Sequence, residues 1–180
     1  MFNAKTHDNF LNQDEVRFFL DTLVNTDKWE PSSIEFWNDR VINIRTAKTH
    51  FGQEFADKLT EISERTKEFI KSNYSLEKNI EPDIVTMCRW FPGMSQPPHA
   101  DDMTNTKVKG LEHRIFGAIV YLNDDYEGGK TFYPDYDIEI TPESGKLAVH
   151  PGDTNHMHGV TEITGNVRYT IASFWKYKDE

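Results

Sequence analysis

Apolar residues in the first third of the chain recur at steps of three and four. Val16, Phe19, Leu20 and Leu23 form one such stripe, preceded by Asn12 with Glu15 three positions on, the pairing that caps a helix N-terminus. This predicts a helix over residues 13–24. A second stripe, Phe55, Leu59, Ile62, Phe69 and Ile70 with charges between, predicts a long amphipathic helix over residues 52–73, packed on something flat. After Pro82 the rhythm changes. The runs DIVTMCRWF, RIFGAIVYLN, YDIEI, GKLAVH and NVRYTIASFW are short, apolar or alternating, and rich in β-branched and aromatic residues, as strands are. Turn-forming segments, NDDYEGG, TPESG, PGD and ITGN, separate them. Short strands at such intervals point to a sandwich or barrel of the jelly-roll kind, with the two helices covering one face.

The 180 residues, without internal repeat, low-complexity run or Gly/Ser linker, fit one domain, residues 1–80 mostly helical support and 81–180 the β core. Cys88 is the single cysteine, which excludes an intramolecular disulfide framework and suits a reducing cytoplasm; it lies in an apolar run, so a buried, inert thiol is expected. The N-terminus MFNAKTHDNF lacks the features of a signal peptide, and no apolar run approaches membrane-spanning length. A net charge of −10, with basic residues scattered singly, speaks against nucleic acid as a partner. The paired glycines of YEGGK have neither P-loop nor dinucleotide-binding spacing and read as a tight turn.

Chemistry enters at SQPPHADDM, residues 95–103. Pro97 and Pro98 deliver the chain to His99 in extended form, and in an extended chain residues i and i+2 project from one face. His99 and Asp101 could therefore grip a common ion, as part of the two-histidine, one-carboxylate facial triad of non-haem iron. The triad needs a second histidine. His150, His156 and His158 all lie downstream, and the spacing of the last two does not choose between them.

PHADD, then YLNDDYEGGKTFYP, then HGVTEITGNVRYTIASFW resembles the iron(II)/2-oxoglutarate-dependent oxygenases, specifically the prolyl 4-hydroxylase-like branch, across residues 89–175. That family places a basic residue ten positions after its second histidine; Arg168 stands ten after His158 and twelve after His156. The resemblance thus implies a double-stranded β-helix (jelly roll) holding Fe(II) through His99, Asp101 and His158. It further implies 2-oxoglutarate anchored by Arg168 with the Tyr121 hydroxyl as second donor, O2 as the other cosubstrate, and release of succinate and carbon dioxide as a C–H bond is hydroxylated. If ITGN forms a hairpin near Gly165, His158 pairs with about residue 172, which puts Arg168 ~13 Å away at ~3.3 Å per residue, within reach of an arginine plus a five-carbon diacid.

Three departures from the family pattern stand out. Trp90 and Phe91 occupy the region where many members carry a tyrosine before His-x-Asp. Trp175 falls one position later than usual, with Phe174 in its place, and Arg168 replaces the lysine of collagen-modifying enzymes, so collagen is not implied. His113 and His150 are read as strand or loop residues without a role, and His156 as a candidate for the site mouth. The expected substrate is a prolyl residue of a peptide or protein; a free amino acid, small metabolite or nucleobase is the second reading, and a non-catalytic metal-binding jelly roll the third. Substrate contacts are expected from residues 102–113 and parts of the N-terminal region.

Overall fold

The computed structural model describes residues 2–104 and 108–178. The first predicted helix is α1 (Gln13–Asn25), and the cap is the one anticipated. Asn12 Oδ1 accepts from the Asp14 and Glu15 amides, while the Asn12 amide donates to Glu15 Oε2 at 2.8 Å. The second predicted helix is α3 (Gln53–Asn73), preceded by an unanticipated short helix, α2 (Ile44–Phe51), from which it is separated by Gly52. Gly52 has φ +89°, left-handed backbone that a side chain would strain.

Two strands precede the predicted β region, β1 (Lys5–His7) and β2 (Val41–Asn43). The rest are β3 (Ile80–Trp90), β4 (Gln96–His99), β5 (Phe116–Tyr121), β6 (Glu127–Gly128), β7 (Thr131–Tyr133), β8 (Ile138–Ile140), β9 (Leu147–Pro151), β10 (His158–Val160), β11 (Ile163–Thr164) and β12 (Arg168–Tyr177). They form an antiparallel sheet ordered β1-β9-β5-β12-β3-β2, a smaller one ordered β4-β10-β7-β8, and the pair β11-β6. The chain is mainly β with helices on one sheet, as expected from its patterning.

Alternation decides what each face of the large sheet meets. Val85 and Met87 of β3, Ala118 and Val120 of β5, Leu147 and Val149 of β9 and Ile171 of β12 pack with Val16, Phe19 and Leu23 of α1 and Phe55, Leu59, Ile62 and Ile70 of α3. The intervening residues look the other way, toward the smaller sheets. There Cys88 and Trp90 meet Val160 and Ile163, while Tyr121 and Ala148 meet Tyr133 and Ile140. Cys88 is buried and unpaired by disulfide, as expected, and burial raises its thiol pKa.

The expected hairpin at ITGN is not formed. Gly165 does turn the chain (φ +83°), but β10 pairs with β4 and β7, β11 pairs with β6, and β12 pairs with β3 and β5. The backbone of Ile163 is already occupied: its N–H donates to the Met94 carbonyl at 2.9 Å and its carbonyl accepts from the Gly93 N–H at 2.7 Å, which ties β11 to the loop before β4. The chain therefore crosses between sheets after Thr164. Residue 172 pairs with Ile119 and Thr86, not with His158, and Arg168 approaches the site from the facing sheet.

Candidate active site

His99 and His158 are direct cross-strand partners at the end of the β4–β10 ladder, and their ring centroids lie 4.6 Å apart. Asp101 follows His99 by two residues, just beyond the strand. One ligand atom from each of the three lies within 4.8 Å of the others. Asp101 Oδ1 is 3.6 Å from His158 Nε2 and 3.8 Å from His99 Nε2. Three ligands at ~2.1 Å from an ion and at right angles would stand ~3.0 Å apart, so sub-ångström side-chain movements close the set.

The tautomers suit a metal. His99 Nδ1 lies 3.1 Å from the Pro97 carbonyl oxygen and His158 Nδ1 3.1 Å from that of His156. A carbonyl only accepts, so each Nδ1 carries its proton and each Nε2 presents a lone pair. Burial, reinforced by the neighbouring His150, pushes the His158 imidazole down to about 3 despite the pull of Asp101. Burial alone would raise Asp101, but His158, His150 and His99 outweigh it and hold the carboxyl well below the usual range. A neutral imidazole beside an ionised carboxylate is the donor set a divalent cation needs.

His150, expected to have no role, is instead part of this site. It sits on β9, 1% exposed, and its Nε2 donates to Asp101 Oδ2 at 2.9 Å while its Nδ1 meets the Tyr133 hydroxyl at 2.9 Å. One carboxylate oxygen is thereby tethered to the large sheet, and the other is left to the ion. The tether needs Gly117, the β5 residue opposite His150, because a Cβ there would lie 2.0 Å from Asp101 Oδ2 and 2.7 Å from His150 Nε2. His156 lies outside the cluster, its Nδ1 hydrogen-bonded to Asp153 at 2.8 Å and its ring beside Tyr136. His113 pairs with Asp83 at 3.0 Å, away from the triad.

Arg168 is 1% exposed, and its Nε and Nη2 have no hydrogen-bond partner among the described residues. Its guanidinium carbon lies 5.3 Å from the Tyr121 ring centroid and 5.2 Å from that of Trp90. The Tyr121 hydroxyl bonds Thr131 Oγ1 at 2.8 Å; with Thr131 as donor, the tyrosine proton is free for another acceptor. A further hydroxyl comes from the NDDYEGG turn. Tyr126 is partly buried, its hydroxyl oxygen shielded from solvent and unpartnered among the described residues, and a Cβ at Gly129 would touch both the Tyr126 ring and Arg168 Cδ, at 2.8 and 3.0 Å. Burial pushes this phenol well above its usual value, even beside Arg168, so at neutral pH it is a donor. An arginine edge with two aligned N–H groups and flanking phenols is an unfilled carboxylate cradle, which fits 2-oxoglutarate. Trp90, in the place of the absent tyrosine, walls this cradle. The displaced Trp175 follows a register break after Phe174 and belongs to the helix-side core instead. Of the segment 102–113, residues 105–107 lie outside the described residues.

The model of the 2OG-Fe(II) oxygenase superfamily matches residues 85–176, and the chain belongs to that superfamily. Its cofactor set is accordingly iron(II), with 2-oxoglutarate and dioxygen as cosubstrates. Among curated proteins, human prolyl 3-hydroxylase 3 is 24% identical over 151 residues, covering 72% of this chain. The chain spans only 20% of that relative's length. Among solved structures, the viral collagen prolyl hydroxylase of Paramecium bursaria Chlorella virus-1 superimposes with a TM-score of 0.72 at 17% identity, covering 98% of this chain and 97% of that one. The Trichoplax adhaerens prolyl hydroxylase, in complex with a hypoxia inducible factor peptide fragment, gives 0.73 at 15% identity, with 98% and 84% covered. At these identities the superpositions establish the fold.

Proposed function

We propose that the protein is an iron(II)- and 2-oxoglutarate-dependent dioxygenase that hydroxylates a prolyl residue in a peptide or protein. The observation that carries this is the buried, unpartnered Arg168 edge in the same interior as the His99, Asp101 and His158 set; a metal-binding protein without turnover has no use for it. The iron, when bound, supplies activation of dioxygen coupled to decarboxylation of 2-oxoglutarate to succinate, with one oxygen delivered to a C–H bond. This chain's residues do the rest. His99 and His158 offer Nε2, and Asp101 offers the oxygen that His150 leaves free. Arg168 takes the far carboxylate of 2-oxoglutarate through two parallel hydrogen bonds, with Tyr121 and Tyr126 as further donors. Trp90, Val160 and Ile163 exclude water around it.

The prolyl substrate is supported by the names of the relatives in sequence and structure, which are prolyl hydroxylases throughout the matches given above. We also read residues 1–180 as one oxygenase domain, supported by a core that joins α1 and α3 to the large sheet. The test is to incubate the iron-loaded protein with 2-oxoglutarate, oxygen and a library of proline-containing peptides, and to look by mass spectrometry for one added oxygen on proline. If no peptide gains oxygen while a free amino acid, metabolite or nucleobase stimulates succinate release, the substrate is of the second kind.

A further inference from the structure

The inward face carries a second buried arginine that the chemistry above does not use. Arg40 precedes β2 and is 3% exposed. Its guanidinium carbon lies 3.9 Å from the Phe36 ring centroid, 5.2 Å from Trp37 and 5.3 Å from Trp90. Nη1 contacts Met94 Sδ, a weak acceptor. Nε and Nη2 have no partner among the described residues, and these are the same two atoms that Arg168 leaves free. They form the edge on which a guanidinium takes a carboxylate side-on. An arginine cannot shed its proton to escape burial, so a desolvated, unpaired fork is costly, and aromatic faces compensate it only in part.

Two further observations place this fork at the site. Trp90 neighbours both arginines, 5.3 Å from one and 5.2 Å from the other, so their guanidinium carbons are no more than about 10.5 Å apart. The box around Arg40 also shares one apolar cluster with Val160, which shares the inward side of β10 with His158. The segment that covers Arg40 is a loop outside the named strands, closed by an isolated bridge between Glu30 and Val41. Glu30 bonds Val41 and Asp39 at the base of the loop, while Trp37 bonds Ile34, Asn38 bonds Glu35 and Ser32 bonds the Asn38 side chain within it. Phe36 and Trp37 are thus held over Trp90 by bonds within this loop, among them the Arg40 amide to the Trp37 carbonyl at 3.2 Å, and not by a sheet ladder.

We propose that Arg40 anchors a carboxylate of the prime substrate, so that the enzyme selects a prolyl substrate bearing an anionic group over a neutral one. The inference rests on the prolyl-hydroxylation reading. The carboxylate could come from an acidic side chain or C-terminus of a peptide, or from a free amino acid, and the probes separate these sources. Trp37 and Trp90 flank the fork, so intrinsic tryptophan emission reports on it directly. The protein loaded anaerobically with iron(II) and 2-oxoglutarate is titrated with four probes: a glutamate–proline peptide with an amidated C-terminus, its glutamine counterpart with the same amide, that glutamine peptide with a free C-terminus, and free L-proline. At least one carboxylate-bearing probe is expected to bind about tenfold or more tighter than the neutral peptide, the scale of a charged hydrogen-bonded pair. Which probe does so names the source. Arg40→Gln should abolish the preference and Arg40→Lys should restore part of it. Equal binding of charged and neutral probes by the unmodified protein, absence of binding by every carboxylate probe, or a preference that survives Arg40→Gln would overturn the proposal. Should Arg40→Gln fail to fold, the comparison of probes on the unmodified protein decides. Failure of the underlying reading shows separately, as tight binding of a carboxylate probe with no oxygen gained on proline when air is admitted.

Discussion

Gly117→Ala adds one methyl group and should disable the metal site. The new Cβ would lie 2.0 Å from Asp101 Oδ2, whereas ordinary contact begins near 3.4 Å, so the carboxylate must retreat by about 1.4 Å or the strand must shift. Neither is easy, because Asp101 and His150 are both buried and bonded to each other at 2.9 Å. Metal–ligand distances tolerate deviations of only ~0.2 Å. Loss of a partner that orients a ligand costs ~10–100-fold in metal affinity, and that range is the expected effect on iron(II). Overpacking should lower the stability of the metal-free protein by ~1–3 kcal/mol, which leaves it folded if it has the usual margin. The assay is anaerobic iron(II) titration followed by fluorescence, with circular dichroism to confirm the fold. His150→Ala acts through the same oxygen, so the double variant should lose less than the two single losses multiplied together. A folded Gly117→Ala protein that binds iron(II) within a factor of two of the unmodified one would refute the tether.

His158→Ala should abolish tight iron(II) binding in the same titration, while His156→Ala leaves it near normal; the reverse order would move the ligand to His156. Arg168→Gln should raise the apparent KM for 2-oxoglutarate about tenfold or more, taking charged hydrogen bonds at ~1.5–3 kcal/mol, with Tyr121→Phe milder and iron affinity little changed in either. Unchanged 2-oxoglutarate dependence in both would place the anchor elsewhere. Asn12→Ala removes the side-chain half of the α1 capping box, leaving the residue-12 amide bonded to Glu15, and should cost ~1 kcal/mol in denaturant unfolding, without affecting iron binding.

The two helices and most long strands were legible because their residues bury one face in a fixed period. Strand β1 was not, since Lys5, Thr6 and His7 are all exposed and carry no alternation. Nor was the crossing after Thr164, where a glycine turn looks the same whether the chain returns to its own sheet or leaves it. Among site residues, His99, Asp101, His158, Arg168 and Tyr121 lie in motifs that can be read in order. His150 escaped because its place depends on which strand lies opposite Gly117, a pairing between residues distant in the chain. A signal was present in both: a titratable side chain in step with Ala148 on GKLAVH, and a glycine inside RIFGAIVYLN, where strands rarely gain from one. Tyr126 escaped because a turn residue has no periodicity to declare which way it faces.

The hydrogen bonds that orient His99 and His158 both run to the carbonyl two residues upstream, Pro97 in one case and His156 in the other. The ring attitude of each ligand is thus set by a bond within its own tripeptide. All that the rest of the molecule must contribute for these two imidazoles is adjacency, and a single cross-strand pair supplies it. Such a unit is portable: two tripeptides ending in histidine, one extended and one leaving a 3-10 turn, set with their histidines opposite one another on an antiparallel ladder, should present the same two lone pairs to a common point, with only the carboxylate left to be supplied by the host.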